Sequence, residues 1–109
     1  MKGVSVITLV SLFLKGVITL LIDMQEARDA VRVDGADNDI ILIPLLESIP
    51  FYLEATTGRT WLEDNHPLAQ TVTKFILQLW YDPQGQDSER LKRTIDNLLT
   101  ALTAIGRGM

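Results

Sequence analysis

Cysteine is absent from this chain of 109 residues, which removes disulfide frameworks, thiolate nucleophiles and cysteine-ligated zinc in one step. Histidine occurs once, at His66, so a histidine-rich metal site lacks members, although an all-carboxylate cation site is not excluded by that count. Positive charge is scarce where it would matter for nucleic acid. The net charge is −4, and residues 23 to 64 hold ten acids against three bases. Such a body repels phosphate and disfavours a groove-reading basic helix, while tolerating DNA that passes without sticking. A long uninterrupted apolar run is missing too. Residues 3 to 22 are apolar, but Lys15 falls near their centre, where a charge costs a few kcal/mol in a bilayer. No small-x-small cleavage site follows them, against a secretory signal. These defects favour a strand or an irregular arm over a membrane span or a signal peptide.

What is present is a single domain's worth of sequence, able to bury a modest core. The arm contains a repeat, Lys2-Gly3-Val4 with Ile7-Thr8-Leu9 and Lys15-Gly16-Val17 with Ile18-Thr19-Leu20. Together with the change of composition near residue 17, it suggests that translation begins near Val17. Intact mass of the protein from its natural source checks this, and a mass that includes residues 1 to 16 would end the idea.

At Asp23 the character changes. Asp23 and Glu26 have the spacing of a capping box, with Ile22 as the hydrophobic staple, and a helix from Met24 to about Val31 follows. Its apolar face of Met24, Ala27 and Val31 is thin and needs a larger partner. Asp34-Gly35-Ala36-Asp37 reads as a turn in which Gly35 supplies a positive φ.

The next helix is expected to start after Asp37 and stop at Gly58. Leu42, Leu45, Leu46, Ile49, Tyr52, Leu53 and Thr56 form a core stripe by spacing, leaving Ile40, Ile41, Ile43 and Phe51 off it. Pro44 and Pro50 each remove an amide donor, predicting a kink or a late start near Ile43. His66 or Asn65 then caps a helix with Pro67 in its first turn, and Leu68, Val72, Phe75, Ile76, Leu79 and Trp80 trace its face to about Tyr81, with Leu77 off that face. Asp82 to Asp87 is a polar loop. Ser88 or Asp87 caps the last helix, in which Leu91, Ile95, Leu98, Leu99, Leu102 and Ile105 repeat with helical period until Gly106. The fold class is mainly α, a small bundle of about four helices over residues 23 to 109 behind an apolar arm, 1 to 22.

No catalytic set assembles from these residues, because nucleophile, base and oxyanion donor have no common locus in the pattern. His66 beside Pro67 fits a helix cap better than an acid or base. Asp34, Asp37 and Asp39 lack the terminal glutamate of a calcium loop, since the position twelve along is Leu45. Turn and capping acids account for them. No cofactor is expected.

Surfaces carry more information. The surplus apolar residues Ile40, Ile41, Phe51, Leu77 and Tyr81 exceed what one face of a helix in a small domain can bury, and predict contact with further copies of the chain, the alternative being a helix central in its own bundle. Arg59 and Trp61 have two readings, a stack within their own chain or an anchor on a neighbouring subunit. Arg90, Lys92 and Arg93 crowd the first turns of the last helix, where the dipole disfavours cations. Glu89 with Arg93 and Lys92 with Asp96 compensate at four-residue spacing. Otherwise the three cations meet an acidic partner surface.

Glu26-Ala27-Arg28, the acidic turn Val33 to Asp37, the helix closing on Tyr52-Leu53-Glu54-Ala55-Thr56-Thr57-Gly58-Arg59, and Lys74-Phe75-Ile76-Leu77-Gln78-Leu79-Trp80-Tyr81 occur in this order. As an ordered set over roughly residues 17 to 105, they resemble the head-to-tail connector (adaptor, head completion) proteins of tailed bacteriophages. The resemblance implies a small helical bundle, about a dozen copies of which form a closed ring beneath the portal. It implies a virion protein assembled in the host cytoplasm. Its partners would be its own copies, the portal protein and the next tail component, with DNA only as passing cargo and no membrane. No enzymatic activity is implied. Pro44, Pro50 and the arm of residues 1 to 16 depart from the family pattern. Two other classes remain in view, a membrane-anchored helical protein inserting residues 3 to 22, and a small DNA-binding regulator using the last helix.

Overall fold

The computed structural model describes residues 20–63 and 66–107; residues 1 to 19 of the arm, with nearly all of its repeat, the start near Val17 and a cap by Asn65 lie outside them. Four helices follow one another, α1 Met24–Val31, α2 Asp39–Thr57, α3 Pro67–Tyr81 and α4 Ser88–Arg107, with no strand among the described residues.

Local signals fix the starts. The Asp23 carboxylate accepts the Glu26 amide at 2.7 Å, and the Glu26 carboxylate accepts the Asp23 amide at 3.1 Å. This reciprocal cap contributes about 1 kcal/mol. Ile22 is buried beside it. At the other end of α1, Arg32 takes a left-handed conformation with φ 62°, its amide returning to the carbonyls of Arg28 and Asp29. Gly35 has φ 76° in the following turn, as its spacing predicts. The two helices are then clamped. The Arg28 guanidinium donates from Nε to Asp39 Oδ1 at 3.0 Å and from Nη2 to Oδ2, and both side chains are largely covered. That hydrogen-bonded pairing raises the Arg28 pKa above its ordinary value, against the opposing effect of burial. A bidentate arginine–carboxylate pair also fixes direction, so the acidic turn delivers α2 at a set angle to α1.

The late start of α2 near Ile43 is corrected by the structure. The helix begins at Asp39 and runs through both prolines to Thr57. Its first turn is held by Asp39 on Arg28 and by the Leu42 amide on the Asn38 carbonyl at 3.0 Å. Each proline removes a single helical hydrogen bond, a loss that the burial of Leu42, Ile43, Leu46, Ile49 and Leu53 outweighs. Gly58, with φ 89°, ends the helix and donates to the Glu54 carbonyl at 2.9 Å.

The core lies around α3, which packs against the other three helices. Ala69, Val72, Thr73, Ile76 and Leu77 are its buried residues. The face expected from spacing is rotated, and Leu77, expected off the core face, sits at 0% exposure in its centre. A helix surrounded on most sides leaves its apolar pattern too broad to mark one face. The same holds for Ile43, which is buried, while Tyr52 and Thr56 are exposed. α4 is covered from one side, and there the expected stripe holds: Ile95 and Leu102 are buried, with Leu91, Leu98, Leu99 and Ile105 packed against the core. It continues through Gly106 to Arg107, past the expected stop.

Candidate functional site

Side chains on the outer side of α2 face solvent. Phe51 is 73% exposed, Ile40 59% and Ile41 52%. Because Ile49 and Leu53 point into the core, Phe51 two residues from each points about 160° away, by the 100° step of an α-helix. Ile41, Pro44, Ser48, Phe51 and Ala55 are all exposed and follow one another at spacings of three, four, three and four. This is the seam spacing with which one helix packs along another. Pro44, Ser48 and Ala55 complete the row although none of them is a large apolar residue, so an apolar surplus alone does not reveal it.

The Arg59–Trp61 pair belongs to the chain's own interior. Trp61 is 1% exposed, a correction to its reading as an anchor on a neighbour. Its indole N–H donates to Thr57 Oγ1 at 2.8 Å, and that hydroxyl donates to the Leu53 carbonyl at 2.6 Å. The guanidinium carbon of Arg59 lies 4.3 Å from the centroid of the Trp61 ring, and Nε donates to the Thr60 carbonyl at 3.0 Å. Gly106 explains the helix running past its expected end. A Cβ there would come within 3.2 Å of Arg59 Cδ, so the glycine admits the arginine stem rather than stopping the helix. His66 completes the cluster, accepting the Leu68 amide on Nδ1 at 3.1 Å and meeting Trp61 edge to face at 5.5 Å.

Leu77 leaves the set of surface candidates for the same reason as Trp61, and Tyr81 is half-buried at the end of α3. The cations of α4 stand in solvent. Arg90 pairs with Asp87 at 3.0 Å and Lys92 with Glu89 at 3.1 Å, so Lys92 takes a partner three residues back rather than Asp96. These exposed pairs hold little free energy and exchange partners easily. Of Asp34, Asp37 and Asp39, the last is committed to Arg28.

On the side of α3 away from α2 a cleft of about 630 Å³ opens between α1, the α3–α4 loop and α4. Val31, Phe75, Tyr81 and Leu91 supply its apolar lining, and Arg32 and Arg90 are on its walls. Asp82 and Asp87 also line it; Asp87 is held by Arg90, and the Asp82 carboxylate lies over Gly85 in its own loop. None of these features brings a nucleophile, a base and an oxyanion donor to one place. By length and composition alone α2 reaches the threshold for crossing a bilayer, but its inner face is the core of this fold.

No protein-family model, curated protein or solved structure matches the chain. Exposed side chains and their chemistry therefore carry the functional reading.

Proposed function

We propose that this protein is a structural, non-enzymatic component that assembles with its own copies into a ring, joining the portal of a DNA-filled phage head to the tail and extending the DNA channel. The observation that carries the reading is the exposed row of Ile40, Ile41 and Phe51 on a helix whose other face is already core. Covering three such side chains yields a few kcal/mol. That is of the same order as the rigid-body freedom lost when two proteins associate. One isolated contact is weak, whereas in a closed ring each copy makes two, and closure adds the second without a second loss of freedom. The order of motifs from Glu26 to Tyr81 directs the reading to phage connectors. The acidic middle of the chain suits a channel wall that DNA passes without adhering.

Negative-stain imaging of the purified protein with phage portal assemblies tests the proposal. Rings with a central hole, seated on the portal, are the expected result; portals that recruit no copies would overturn it. Arg90→Glu with Arg93→Glu reverses exposed charge on α4 and is expected to leave portals bare. Normal assembly by that variant would remove these cations from the interface.

A further inference from the structure

The outer face of α2 and the cleft are different surfaces, since no residue of α2 lines the cleft. Tyr52 of α2 meets Trp80 of α3 edge to face at 5.4 Å, which marks the side of α3 that α2 covers. Gln78, which lines the cleft, lies two residues from Trp80 and so about 160° around the α3 axis. Phe51 in turn points away from the core, since its helix buries Ile49 and Leu53 on the inner side. One copy thus carries a projecting aromatic on one surface and an apolar-floored hollow on another.

Two acids flank Phe51, and the cleft offers one cation that no group among the described residues holds. Glu47 and Glu54 lie four residues before and three residues after Phe51, hence on the same side of α2. One Glu47 carboxylate oxygen is buried without a hydrogen-bond donor among the described residues. Beside the cleft, Arg32 is exposed and its side chain has no hydrogen bond or ion pair among the described residues. Arg90 is paired with Asp87 on the same wall, and Asp82 is the remaining acid of the lining.

From this we infer, resting on the ring reading above, that copies join head to tail: Phe51 of one copy enters the cleft of the next, over Phe75, Tyr81 and Leu91, with Glu47 and Glu54 against Arg32. A contact between two different surfaces closes into a ring when successive copies are turned by a constant small angle, whereas a face-to-face contact of the α2 seam stops at a dimer. Tyr81, half-buried in the free chain, gains its remaining cover from the neighbour.

A chain without cysteine makes the test direct. Ser48→Cys stands one turn from Phe51 and leaves it intact; Gln86→Cys stands on the cleft loop. The two variants, separately and mixed, are treated with a short bismaleimide at a concentration where sedimentation shows assembly. Cross-linked pairs in the mixture, with neither variant linking to itself, are the expected result. Self-linking of Ser48→Cys would establish a face-to-face seam and overturn the inference. Assembly that persists with no cross-link in the mixture would overturn it while leaving the ring reading intact, and a wild-type chain that never assembles would remove both.

Discussion

Trp61→Ala is expected to lower the free energy of unfolding by about 3–5 kcal/mol, the cost of emptying a large aromatic site in a core. Indole volume is the first part of this loss, because Trp61 is the largest of the fully buried side chains. The second part is connectivity. Thr57 loses its indole donor, Arg59 loses the ring on which it stacks, and the link from the end of α2 to Gly106 of α4 goes with them. Domains of this size have roughly 5–15 kcal/mol in total, so the variant sits near the edge of folding. Trp61→Phe keeps most of the volume and drops the hydrogen bond, which costs about 1 kcal/mol for the bond itself. Urea unfolding followed by far-ultraviolet circular dichroism, at a concentration low enough to keep the chain monomeric, reads both variants. A loss below about 1 kcal/mol for Trp61→Ala would contradict its placement in the core.

Ile41→Lys combined with Phe51→Lys has the opposite profile. Both residues face solvent in the single copy, so the thermal midpoint of the monomer is expected to move little, as exposed substitutions do. Self-association is expected to weaken by on the order of a hundredfold or more, since each contact loses the burial of apolar side chains and gains a cation to desolvate. Sedimentation velocity across a concentration series measures the change. An unaltered association constant would take this face out of the interface. A large fall in the monomer's midpoint would mean that the face is covered within one chain. The contrast between Trp61 and Phe51 separates what folds the protein from what assembles it.

Much of the fold is legible in the sequence because its signals are local. The Asp23–Glu26 box, the left-handed Gly35 and Gly58, and the His66–Pro67 start all act within a few residues of themselves, and each lies where spacing placed it. The stripe of α4 is legible as well, because a helix covered from one side carries one apolar face. Faces of α2 and α3 are not. α2 is apolar nearly all round and α3 has a broad apolar sector beside one polar stripe, so periodicity does not say that Ile43 and Leu77 turn inward. The prolines misled for a related reason: a lost hydrogen bond is visible in sequence, while the long-range burial and the Arg28–Asp39 clamp that offset it are not.

The surface candidates divide along the same line. Ile40, Ile41 and Phe51 are exposed where an apolar surplus was expected, because no second element of the chain covers the outer side of α2 in the described residues. Trp61 is interior with the half-buried Arg59 stacked on it, and Gly106, 45 positions beyond Trp61, leaves room for the arginine stem. Nothing local announces that pairing. The cleft is likewise a product of packing, assembled from α1, α3 and α4 and from a loop whose residues are individually unremarkable in sequence.

Light scattering of the purified wild-type chain over a wide concentration range tests most directly whether sister copies cover the outer face of α2. The predicted result is a mass that climbs with concentration to a defined multiple of the chain mass. A mass equal to one chain at every concentration would contradict the account.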